Sequence, residues 1–137
     1  MQKRLQDASV DLGNRMSNIV FIMLGVAVLL FKRYYAGPFA EVIDAYAANV
    51  AVSFAVYFNA ALLPVNFRYK RLWLAGLALA AVELFEVSNG FGIMSNVYDS
   101  MDLVANGVGV LLALVVDSLR TQKQCWNQKE YGQDGRL

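Results

Sequence analysis

Apolar residues in this chain fall into four long runs, separated by short segments rich in charge, proline, glycine or asparagine. The first run, Asn18 to Phe31, is only marginally long for a bilayer. It crosses if Arg15, Lys32 and Arg33 reach back toward the surface along their aliphatic stems and Tyr34 and Tyr35 sit among the headgroups. A charged pair follows Phe31 where a signal peptide would carry a small-residue cleavage pattern, so the run reads as a retained span. Tyr34-Tyr35-Ala36-Gly37-Pro38 reads as a turn, because Gly and Pro together break a helix.

The second run extends from about Phe39 to Leu63 and stops at Pro64. The third covers Leu72 to about Val87, with Trp73 at the interface and Gly76 and Ala80 as small residues for close packing. The fourth covers Ser100 to about Leu119, and its Ala105, Gly109 and Ala113 lie four apart, a smooth stripe against which another helix packs. This pattern predicts an all-α fold, an integral membrane bundle of four transmembrane helices over residues 18–119. Residues 1–17 read as a frayed cytoplasmic segment rather than a short interfacial helix, and residues 120–137 as a polar, mobile tail.

Polar residues inside the runs then become the informative ones. Tyr46, Asn49, Ser53 and Tyr57 recur at three or four positions, which places them on one helix face. They read as a seam of hydrogen bonds to a neighbouring helix. Orientation follows from the basic residues on alternating sides of the spans. Lys3, Arg4, Arg15, Arg68, Lys70, Arg71, Arg120, Lys123, Lys129 and Arg136 make ten on one side, against Lys32 and Arg33 on the other. The positive-inside rule therefore expects both termini in the cytoplasm, in a multi-pass protein of the cell inner or plasma membrane. Glu41, Asp44, Glu83, Glu86, Asp99 and Asp102 all fall on the opposite, outer half.

Composition narrows the chemistry. The chain has 137 residues, 58% of them hydrophobic, too apolar for an ordinary soluble domain of that length. It contains no histidine, which removes Ser-His triads, His-ligated metals and haem axial histidines. Cys125 is the only cysteine, so neither an intrachain disulfide nor a thiolate cage forms. No cofactor is expected and no catalytic residue is assigned. The basic residues flank membrane segments without forming an interleaved patch, which argues against nucleic acid and for attraction to anionic membrane lipids.

The candidate site is the acidic stretch between the last two runs: Glu83, Glu86, Asp99, Asp102 and Asn106. Glu83 and Glu86 are three apart and project from one helix face. Asp99, Asp102, Asn106 and Gly109 step by three, four and three down the next helix. Crowded carboxylates cannot all ionise cheaply, so the group would hold a proton, a cation or a basic substrate group. Asp99 and Asp102 also suit the first turn of a helix, Glu86 also suits the headgroup layer, and a Glu83–Asn106 hydrogen bond is a purely structural alternative.

Glu83, a loop, Asp102-Leu-Val-Ala-Asn106, then Gly107 and Gly109 resemble the VanZ-like family of small membrane proteins. That family's signature is a Glu at the end of one span and D-L-x-x-N-x-x-G opening the next. Residues 34–38 also resemble a related membrane family of unknown function, and the likeness covers roughly residues 34–118. Glu86 stands where the family usually has Gln, and residues 87–98 lack the arginine often found there. The resemblance implies a cell-envelope role, with glycopeptide (teicoplanin) resistance as the founding member's association, and it supplies no reaction. The expectation is an outward acidic pocket that binds a lipid-linked ligand, such as an envelope precursor, or a cationic ligand. Alternatives are a non-catalytic accessory subunit working with other membrane proteins, and a small proton- or cation-coupled transporter, which with four spans requires an oligomer.

Overall fold

The computed structural model describes residues 2–65, 68–88 and 100–134, with side chains described from Val10 to Lys123 within those ranges. It is all-helical over these residues. Helix α1 runs Gln2–Phe31, a single 3-10 turn covers Lys32–Tyr34, α2 runs Ala40–Ala60, α3 Lys70–Val87 and α4 Ser100–Asp134. Three stretches are long and apolar enough to cross a membrane: Val10–Tyr34, Ala40–Ala60 and Ser100–Lys123.

Polarity is inverted relative to a water-soluble bundle. Asn18, Ser53, Asp102, Asn106 and Asp117 are buried, whereas Val20, Met23, Leu30, Leu84 and Leu111 are each more than 60% exposed. In water such an exterior would be an aggregation surface, while in lipid it needs no cover. The centre is small and aromatic: Tyr57 and Phe58 are fully enclosed with Ala78, Val110 and Ala113. Phe21 stacks on Phe58 at 4.6 Å between ring centroids and meets Phe54 edge-on at 6.2 Å, joining α1 to α2.

Backbone proximity at two glycines sets the helix spacing. A Cβ at Gly25 would stand 2.8 Å from the carbonyl oxygen of Ala51, so α1 lies against α2 there. A Cβ at Gly109 would collide with Ser53 Oγ and the Val50 carbonyl oxygen, so α4 presses even closer on α2. Ala105, Gly109 and Ala113 are all buried, as the small-residue stripe requires. Gly76 and Ala80 behave otherwise. Both face outward, and a Cβ at Gly76 would meet nothing within 4 Å, so the close-packing role expected for them is not realised. The face of α3 that packs is instead Leu74, Ala78 and Val82.

Two further expectations are corrected at the ends. Residues 2–17 continue the first helix without a break, and α4 runs on to Asp134 instead of giving way to an irregular tail at Arg120. The polar segments lack Pro, and their glycines are isolated, so nothing in them stops helix propagation from the apolar run. The turn before α2 forms as the breaker residues require. Tyr35 donates its hydroxyl hydrogen to the Pro38 carbonyl at 3.3 Å, its ring fills the space beside Gly37, and Phe39 adopts φ 61° to enter the helix.

Candidate functional site

Two polar clusters lie at opposite ends of the helix packing. The fifteen residues from Asp102 to Asp117 span about 22 Å of helix rise. Glu86 meets Asp102, and fifteen residues earlier on α3 Arg71 meets Asp117, so one antiparallel register between α3 and α4 builds both contacts.

The acidic cluster contains four of the five expected site residues. Asp102, in the first turn of α4, is only 7% exposed and accepts a 2.6 Å hydrogen bond from Asn49 Nδ2 of α2. The Glu86 carboxyl comes within hydrogen-bonding reach of Asp102. Two carboxyls meet in this way only with a proton between them or a positive charge beside them. Glu83, one turn deeper, is near enough to Glu86 for mutual repulsion, and its Oε2 is buried without a hydrogen-bond partner among the described residues. Asn106 is 3% exposed on the same side of α4 as Asp102. Asp99 lies outside the described residues. Asn49 belongs to this cluster although its sequence signal marked only a packing seam; the spacing on α2 could not say which residue of α4 it would face.

No basic side chain among the described residues contacts these carboxyls. Lys32 is turned to Asp44, 3.5 Å away on α2, and Arg33 is exposed. No group of three or more Asp, Glu, His or Cys among the described residues is arranged to hold a metal ion.

The second cluster went unrecognised in the sequence. Asp117, 7% exposed, receives Arg120 at 2.9 Å, Arg71 at 3.2 Å and the Tyr57 hydroxyl at 3.1 Å. Arg120 also donates to Asn18 Oδ1 at 2.7 Å, which brings α1 into the group. Asn18, Arg71, Asp117 and Arg120 border a cavity of about 550 Å³ that also reaches Arg15 and Lys70. The available signal was the i, i+3 pair Asp117/Arg120 directly after an apolar run, which positive-inside counting absorbed as an orientation mark. The seam on α2 ties the two ends together: Asn49 and Tyr57 bond to acids of α4, and Ser53 between them turns back to the Asn49 carbonyl at 2.6 Å.

Comparison of the chain with family models, with curated proteins and with solved structures returns no match.

Proposed function

We propose that the chain is a VanZ-like, multi-pass protein of the cell inner or plasma membrane that binds a cationic group of an envelope molecule in an outward acidic pocket. In this reading α3 is the fourth crossing. Its 18 residues give about 27 Å of rise, close to the thickness of the hydrocarbon layer. Both termini face the cytoplasm, and Glu83, Glu86, Asp102 and Asn106 open outward with Asn49 beside them. Asp99, the residue immediately before the described start of α4, is assigned to the same site.

One observation carries the proposal. Three carboxyl groups are gathered between helices, and among the described residues one buried oxygen of Glu83 has no partner and no basic residue neutralises them. Clustered acids in a low-dielectric setting are costly unless a positive group arrives. A lipid-linked precursor bearing an amine, or a basic envelope-directed drug, supplies that group from outside.

The test is susceptibility to teicoplanin and other envelope-directed drugs in a sensitive host. Cells would express wild type, the Glu83→Gln/Asp102→Asn double variant, or empty vector, with membrane abundance checked by immunoblot. Protection by wild type and none by an equally abundant double variant is the expected outcome. Equal protection by both proteins, or by neither, removes the acidic-site reading. Asp102 is already satisfied by Asn49, and that observation favours a second reading as a non-catalytic accessory subunit, in which these polar groups only lock helices together. There the double variant would lose folded yield instead of protection.

A further inference from the structure

At the other end of the bundle, the cavity of about 550 Å³ has a charge imbalance that the chain does not resolve by itself. Four cations line it, Arg15, Lys70, Arg71 and Arg120, against two carboxylates, Asp11 and Asp117. Arg15 and Asp11 pair at 3.0 Å on an exposed turn of α1 and cancel locally. Asp117 is left to serve both Arg71 and Arg120, and it also accepts the Tyr57 hydroxyl.

Among the charged side chains, donors are in excess in the same way. Arg120 spends one terminal nitrogen on Asn18 and the other on Asp117, while its Nε is buried with no hydrogen-bond partner among the described residues. Arg71 reaches Asp117 through Nε, which leaves its two terminal nitrogens outside that contact. The Asn18 carbonyl accepts from Arg120, and the same amide offers its NH2 as a further donor. Lys70 is half-buried at the cavity and makes no ion pair among the described residues. What the cavity lacks is an anion with several acceptor oxygens, and its volume is in the range of sites for small molecules.

We infer that this cavity binds a phosphate group, held by Lys70, Arg71 and Arg120 with Asn18 as an additional donor. Guanidinium groups match a phosphate by paired N–H donation, and Lys70 adds a point charge. The chemistry is the same whether the phosphate belongs to the headgroup of an anionic lipid at that membrane face or to a small soluble ester. This site stands apart from the acidic cluster and does not depend on its role.

The experiment uses the full chain purified in an uncharged detergent. Native mass spectrometry would count retained phosphatidylglycerol against phosphatidylcholine, and thermal unfolding would be followed with and without inorganic phosphate. Preferential retention of phosphatidylglycerol without a response to inorganic phosphate identifies the lipid source. A raised unfolding temperature in inorganic phosphate without lipid preference identifies a soluble source. Both outcomes support the site, provided that Lys70→Gln/Arg71→Gln weakens the effect about tenfold, as loss of charge-assisted bonds should. Because Arg71 also contacts Asp117, the single variant Lys70→Gln serves as the control that leaves every described ion pair intact. Absence of both effects in wild type, or undiminished binding in a folded double variant, overturns the proposal.

Discussion

At Gly109 the side chain is a hydrogen because α2 occupies the place of anything larger. A methyl there would overlap the Ser53 hydroxyl and the Val50 carbonyl, and the carbonyl belongs to a helix backbone that cannot easily withdraw. Gly109→Ala should therefore destabilise the fold by about 1–3 kcal/mol, the usual cost of overpacking. Gly76→Ala should do the opposite and gain about 0.5–1 kcal/mol, since its Cβ enters open space and glycine is a poor helix residue. Thermal unfolding in detergent compares the two directly. Equal effects would mean that α2 and α4 do not approach as described. The sequence made Gly109 legible because Ala105 and Ala113 repeat at its spacing, whereas Gly76 carries the same kind of pattern on α3 without a helix facing it. Spacing reports that a face is smooth, and only the fold reports what lies opposite.

Among the elements, α4 carries most of the organisation. One end of its membrane stretch holds Asp102 and the other Asp117, and α2 answers each with an amide or a phenol. Tyr57→Phe should cost about 1 kcal/mol, the net worth of one hydrogen bond, because the ring still fills the core. Asp117→Leu should cost about 3–5 kcal/mol, because Arg120, with its side chain only 19% exposed, would lose its buried counter-charge. Adding Arg120→Leu to Asp117→Leu should recover part of that loss, and size-exclusion profiles with unfolding curves would show it. If all three variants unfold alike, the cluster does not hold the bundle. The positions of helices α2, α3 and α4 were readable from apolar runs and breakers. The helical continuation past Arg120 was not, because a polar segment with few breakers has the same composition whether it extends a helix or frays.

For the whole molecule, the two polar ends divide charge by sign. Carboxyls gather where α3 ends and α4 begins, and guanidinium groups gather where α2 ends and α3 begins. The acidic half of this division was visible in the sequence as Glu83, Glu86, Asp102 and Asn106 on two adjoining runs. The basic half was hidden, since Asn18, Arg71, Asp117 and Arg120 come from three helices and share no local motif. Our account requires the acidic end to face outward and the basic end inward, with α3 crossing between them. The most direct test is site-specific labelling in intact cells with a membrane-impermeant maleimide, in a Cys125→Ser background carrying either Ala36→Cys or Leu63→Cys. Both native positions are on connectors, Ala36 between α1 and α2 and Leu63 between α2 and α3, and both are exposed. Labelling of Ala36→Cys in intact cells, and of Leu63→Cys only after permeabilisation, is the expected result. Labelling of Leu63→Cys from outside, with Ala36→Cys protected, would contradict it.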